Sequence, residues 1–341
     1  MSTVLSIFVA LLLLSLLVMI HELGHFLAGR ALGFSILEFA IGMGPVLWKT
    51  TKNGIQYSIR ALPIGGMCRF NGEDEKIQDG RSFYLEKVWK RIVVVLSGPI
   101  MNLLFAFIAA IITLAAFGDI MPQVYEVNAD SAAYTAGMQQ GDFIVAVDGT
   151  RVMYYNQTVD LIQAANREGF DVTVVRDGAE KDLHFTNAYD EQAGKTVLGI
   201  TITGDHMKFP FGETVTRSAA YIVSTLTETL KFFGSLFQGN ISSQDVSGPV
   251  GIITYISEAV RSSGETVLRL MVLISASLGI MNLLPIPALD GGRLLFMVIE
   301  VVRGKAVPPE KEGMVHFVGL ILLFGLMIFL TYNDIANLIR G

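Results

Sequence analysis

The chain has 341 residues, 52% hydrophobic and 16% charged, with a mean hydropathy of +0.52. That balance points to an integral membrane protein with a modest water-exposed part and excludes a wholly soluble one. A net charge of −6 offers no basic surface, so no nucleic-acid partner is expected, and a single cysteine, Cys68, excludes an intramolecular disulfide or a cysteine-based zinc site.

The first apolar stretch, about residues 3–28, has no Lys, Arg, Asp or Glu before position 21. It lacks a basic leader and an obvious small-residue cleavage site, so it reads as a retained span rather than a signal peptide. It ends in His21-Glu22-Leu23-Gly24-His25. Ionisable groups at membrane depth are costly and usually mark function. At spacing i and i+4, the His21 and His25 rings project from one helix face and can bind one Zn²⁺. Glu22 is then placed to act as general base on the attacking water without being a ligand.

Residues 35–72 predict a membrane-associated β-hairpin or sheet. Asn53-Gly54 is a hairpin turn, after which Ile55, Tyr57 and Ile59 alternate with Gln56, Ser58 and Arg60 as in a half-buried strand. Leu62-Pro63-Ile64-Gly65-Gly66 then breaks the pattern. An open edge could bind an unfolded substrate by strand addition, which makes Ile55, Tyr57 and Ile59 candidate substrate contacts. The pattern fits an ordinary hairpin outside the membrane equally well. Residues 73–91 are charged and expected at the cytoplasmic surface, with Lys87, Lys90 and Arg91 anchoring the second span, about 92–117. Within that span, Ser97-Gly98-Pro99-Ile100-Met101-Asn102 permits close helix packing. Asn102 is a candidate for holding substrate backbone or an oxyanion; an interhelical hydrogen bond is the simpler role.

Residues 118–212 read as one PDZ-like α/β domain, with strands near Val124–Val127, Phe143–Val147 and Val172–Val175 and helices near Ser131–Ala136 and Val159–Asn166. Residues 213–266 hold an amphipathic helix, a polar Ser/Gln/Asp linker and the turn Gly248-Pro249-Val250-Gly251, whose role composition leaves open. Residues 267–341 carry the last two of four spans, about 270–289 and 314–333. The third contains Asn282-Leu283-Leu284-Pro285-Ile286-Pro287-Ala288-Leu289-Asp290-Gly291-Gly292, whose prolines break the helix near Leu284. Lys and Arg outnumber acids ten to six over 30–91, whereas 118–216 has six basic and fifteen acidic residues. The positive-inside rule then places 30–91 in the cytoplasm, and both termini and the acidic domain fall outside, the latter mainly by helix parity. The first and third spans run the same way, so Asp290 reaches the depth of His21 and supplies a third zinc ligand; a helix cap or an ion pair with Arg293 is the plainer alternative. Asn282 joins Asn102 as a candidate substrate contact.

These three motifs (HExxH, SGPxxN and NxxPxPxxDG), in this order, resemble the site-2 protease family of intramembrane zinc metalloproteases, and its bacterial RseP/RasP-like branch most closely. The resemblance implies zinc held by His21, His25 and Asp290, with Glu22 as the base. It also implies hydrolysis of peptide bonds in or near transmembrane segments of single-span substrates, such as anti-sigma factors and remnant signal peptides, during regulated intramembrane proteolysis. The location it implies is a bacterial plasma (inner) membrane, where lipid is the remaining partner. One PDZ domain fits in 118–212, whereas the best-known proteobacterial members carry two. A non-catalytic PDZ membrane adaptor and a metal transporter are the alternative readings.

Overall fold

A long uncharged aliphatic run makes the N-terminal segment helical from Thr3 to Ala31 (α1) in the computed structural model, which describes residues 3–73, 82–166, 168–186, 188–191, 194–238 and 248–340. The chain divides into two units, Met1–Ala110 with Thr225–Gly341, and Ile111–Ser224.

In the first unit, α1 leads into two long strands, β1 (Ile36–Lys52) and β2 (Ile55–Phe70), joined at Asn53-Gly54. Both turn residues have positive φ, +53° and +80°, the backbone that matches strand twist in a tight hairpin. The strands curl so that residues 38–41 have partners on both sides. These run from Glu38↔Gln56 to Ile41↔Ile59 on one side and from Glu38↔Arg69 to Ile41↔Gly66 on the other, with Ile36↔Phe70 extending the second side. The segment holding Tyr57 and Ile59 is also enclosed, because Tyr57 faces Thr50 as well as Phe39, and Ile59 faces Trp48 as well as Ile41; Ile55, next to the turn, pairs only with Lys52. Among the described residues, Gly66–Phe70 has a strand partner on one side only. The expected break at Leu62–Gly66 does not end the strand; register shifts absorb it, and Gly65 sits at φ +82°.

The expected alternation holds at Ile55 and Tyr57, which pack against the core, and fails at the next pair, where Ser58 is buried while Ile59 is 45% exposed. Glu38 explains this. It is buried beneath the sheet, where Ser58 Oγ donates to it at 2.7 Å and Arg60 Nη2 at 2.8 Å. A buried carboxylate needs such partners, so Ser58 is drawn inward. Burial pushes the Glu38 carboxyl up, but the Ser58 and Arg60 hydrogen bonds outweigh it and hold the group below the usual carboxylate range. Met43, Leu47, Trp48 and Leu62 remain exposed on the hairpin, an apolar surface suited to lipid.

The second helix, α2 (Val88–Phe117), begins earlier than the expected span. Arg91 is not an interfacial anchor: it is buried, pairs with Glu300 at 2.6 Å and lies over the Tyr84 ring. Much of the charged 73–91 segment, residues 74–81, lies outside the described residues.

The second unit holds β3 (Asp119–Val127), α3 (Ala132–Thr135), β4 (Phe143–Val147), β5 (Thr150–Arg151), α4 (Gln157–Ala164), β6 (Phe170–Arg176), β7 (Ala179–Phe185), β8 (Tyr189–Asp190), β9 (Lys195–Thr196) and β10 (Ile200–Met207). Its main sheet runs in the order β10-β3-β4-β6-β7, with β5 on β4. Its core is built around Met121, Val124, Ile144, Val172, Val174 and Phe185. The amphipathic helix α5 (Phe211–Phe237) starts in this unit. There the fully buried Arg217 pairs with Asp119 at 3.4 Å and Glu213 at 3.0 Å, donates to Val152 O, and stacks on Phe209.

The first unit resumes with α6 (Pro249–Ser262), α7 (Gly264–Leu283), α8 (Asp290–Arg303) and α9 (Pro309–Arg340). The unsettled Gly248-Pro249-Val250-Gly251 turn is the start of α6. Its Gly248 and Gly251 N–H groups donate to Asp334 of α9, at 3.1 and 2.8 Å, satisfying donors that a helix start leaves open. The polar linker before it, residues 239–247, lies outside the described residues. Among the described residues, four helices are long and apolar enough to cross a membrane: Thr3–Ala31, Val88–Phe117, Gly264–Leu283 and Glu310–Ala336. The last has only 6% of its most apolar stretch buried, so nearly all of that surface faces outward.

Candidate metal centre

The first half of the centre is built by the close approach of α1 and α2. A side chain at Gly24 would overlap the Ser97 carbonyl, and one at Gly98 would overlap the His25 ring and lie 2.8 Å from His21 Nε2. Small residues at both positions let the backbones meet. The outer nitrogen of each imidazole is held from behind. His25 Nδ1 lies 2.8 Å from Val94 O, a pure acceptor, so Nδ1 carries the proton and Nε2 presents a lone pair. His21 Nδ1 faces the Asn102 amide at 3.3 Å. Asn102 Oδ1 is buried without a hydrogen bond, and a half-turn of the amide brings it opposite a protonated Nδ1.

Gly98→Ala is therefore expected to displace both rings. Overpacking of this kind costs about 2 kcal/mol, or roughly 30-fold in zinc affinity. Zinc content after competition with a chelator checks it; an unchanged affinity would mean that the rings are not confined by α2.

The second half comes from the break after α7. The helix ends at Leu283, Leu284 turns extended, and α8 begins at Asp290. Asp290 Oδ2 lies 3.0 Å from His21 Nε2 and 3.4 Å from His25 Nε2, and the two Nε2 atoms are 3.1 Å apart. Oδ2 is buried and takes no hydrogen bond from the described residues. With both Nδ1 atoms protonated, three lone pairs converge on one point, an arrangement that a cation stabilises. Metal–nitrogen distances of about 2.0–2.1 Å give a tetrahedral edge of about 3.3 Å, which these separations match. The residues present fit a zinc ion. Asp290 does not spend its charge on Arg293, which pairs with Glu73.

Glu22 stands next to this triad but outside the ligand cluster. Its Oε2 accepts the Cys68 N–H at 2.9 Å, fixing the carboxylate between α1 and β2. His21, Glu22, His25, Asp290 and Asn282 all line one cavity of about 370 Å³. Its opposite wall is Gly66–Phe70, and Glu73 and Arg293 stand beside it.

Two groups of expected substrate contacts are placed elsewhere. Asn102 is fully buried behind His21, where its backbone carbonyl accepts from the Ser275 hydroxyl; its amide orients an imidazole and does not line the cavity. Tyr57 and Ile59 have strand partners on both sides and offer no free edge, and Ile55, paired with Lys52 beside the hairpin turn, does not line the cavity. The wall at Gly66–Phe70 was not singled out by the sequence, although it is the stretch that follows the Gly65-Gly66 interruption.

The sequence profile of peptidase family M50 matches residues 9–326. A chain from Clostridium acetobutylicum is 36% identical over 97% of both sequences. The zinc metalloprotease RasP of Geobacillus kaustophilus is 32% identical over 94% of this chain and 95% of its own length. A solved PDZ domain from an SdrC-like protein of Listeria monocytogenes is similar at 20% identity and a TM-score of 0.22, covering 24% of this chain and 87% of that domain.

Proposed function

Since the chain belongs to peptidase family M50 and is a zinc metalloprotease, we propose that it cleaves single-span membrane proteins within or near their transmembrane segments, with anti-sigma factors and remnant signal peptides as the substrate classes. The observation that carries this reading is the meeting of His21 and His25, late in one membrane-length helix, with Asp290, just beyond another. His21, His25 and Asp290 would hold the zinc. When bound, zinc supplies Lewis-acid polarisation of the scissile carbonyl and of the attacking water.

The chain's own residues do the rest. Cys68 N–H holds Glu22 Oε2, leaving Oε1 to take the proton of the water and pass it to the departing amine. A helical substrate must unwind first, because its amides are shielded by their own hydrogen bonds. The unwound segment adds as a strand along Gly66–Phe70, taking the Phe70 N–H that Glu73 now engages, while the Cys68 N–H stays with Glu22. Asn282, on the same cavity, steadies the substrate backbone.

The Lys/Arg excess of 30–91 supports a cytoplasmic position for the sheet, and the span that follows it would then carry 118–216, a PDZ domain in this reading, to the outer side. We place the protein in a bacterial plasma membrane with both termini outside. The test is cleavage of a single-span substrate, already trimmed of its outer domain, by the purified chain in detergent. Cleavage is expected to stop with a chelator and return with zinc. Zinc flux into liposomes without cleavage would replace the protease reading with a transporter.

A further inference from the structure

Ala288, two residues before Asp290, has φ +73°. The other described non-glycine residues with positive φ are Asn53, Asp130, Asp148 and Asp177, types whose short polar side chains tolerate that region. Ala288 has no such side chain, and a residue held there persists only when its surroundings enforce it.

The enforcing contact comes from α9. The Ala288 N–H donates to His316 Nδ1 at 2.9 Å. That bond requires a lone pair on Nδ1, which puts the ring proton on Nε2. Glu312, one turn earlier, places Oε1 4.0 Å from Nε2 and favours the same tautomer. Glu312 is itself fixed, because its Oε2 accepts the Tyr84 hydroxyl at 2.7 Å. The ring is also seated sterically. Phe296 packs 5.8 Å away between centroids, and a side chain at Gly292 would come within 3.2 Å of His316 Cε1. At Gly319, one turn further along α9, a side chain would overlap Pro287.

We propose that His316 is a positioning residue for the metal centre: by accepting the Ala288 N–H it locks the Pro285–Leu289 loop in the conformation that aims the Asp290 carboxylate at His21 and His25. The inference rests on the zinc reading of those three residues. It gives α9, the span with the least buried surface, a defined task in assembling the site.

The test is zinc affinity of the full-length solubilised chain, by competition with a chromophoric chelator, alongside kcat and KM on a peptide substrate. His316→Phe keeps a ring and removes the acceptor. It is expected to weaken zinc binding by roughly 10- to 100-fold, the usual cost of removing the support behind a metal ligand. Its kcat should fall with KM little changed. His316→Asn places a carbonyl oxygen where Nδ1 was and should restore affinity. His316→Gln places it nearer Nε2 and should not. In an Ala288→Gly background, where the left-handed backbone carries no penalty, the loss caused by His316→Phe should shrink.

Equal zinc affinity for His316→Phe and the parent would overturn the proposal. So would His316→Asn and His316→Gln behaving alike, a comparison that stands even if His316→Phe fails to fold. A loss undiminished by Ala288→Gly would do the same. Failure of the unsubstituted chain to retain zinc would instead overturn the metal centre itself.

Discussion

Glu22→Gln is expected to keep its zinc and to lose its proteolysis, with kcat falling about 10²- to 10⁴-fold. That loss corresponds to about 3–5 kcal/mol on the barrier. The separation of the two properties follows from geometry. The ligand cluster is His21, His25 and Asp290, and Glu22 is not a member of it. The substitution is nearly isosteric, and an amide oxygen can still accept the Cys68 N–H that positions the carboxylate. The centre and the neighbouring strand should therefore stay in place. What disappears is the basic oxygen, because an amide cannot take a proton from water at neutral pH. KM should change little, since Glu22 binds no part of the substrate in this scheme. Zinc stoichiometry and single-turnover cleavage, measured on one preparation, give both readings. Substantial turnover would pass the base role to another carboxylate lining the cavity, such as Glu73. Loss of zinc would make Glu22 a ligand.

The parts of this centre that were legible in the sequence are those whose chemistry is local. Two histidines four residues apart on a helix must share a face, so the His21–His25 pair needed no tertiary information. Pro285 and Pro287 cannot continue α7, and it ends at Leu283 as they require. Asn53-Gly54 likewise made its own turn. That Asp290 joins the histidines is a long-range fact, reachable only by comparing the depths of two spans.

The remaining features depend on partners that no local pattern encodes. Which strand of the sheet keeps a free edge is decided by register shifts over β1 and β2, so the alternation at Tyr57 and Ile59 pointed to an interior segment. Ser58 turns inward because of Glu38, twenty residues earlier. Asn102 and His316 are single polar residues in apolar helices; the sequence shows that each needs a partner but not that one finds His21 and the other Ala288. Arg91 looked like an interfacial anchor because its partner, Glu300, is remote in the chain.

Asp290→Ala is expected to weaken zinc binding by more than about 100-fold, since even residues that only support a ligand cost 10- to 100-fold when removed. The carboxylate is the one anionic member of the set, and its Oδ2 closes the triangle with the two Nε2 atoms. Without it, two neutral imidazoles remain, too few for a catalytic zinc site with one open position. Asp290→Asn should fall between, because it keeps an oxygen at the same reach but gives up the charge. The competing role for Asp290 is a purely local one at the start of α8, where an acidic residue favours the helix dipole by about 0.3–1 kcal/mol. The two roles separate cleanly in measurement. A helix-end residue would show a small loss of thermal stability in zinc-free protein and no change in zinc affinity. A ligand would show the reverse: little change in the zinc-free protein, a collapse in affinity, and loss of the stabilisation that bound zinc confers on the folded chain. Undiminished zinc in Asp290→Ala would leave His21 and His25 without their third partner and remove the basis for a hydrolytic centre at this place in the fold.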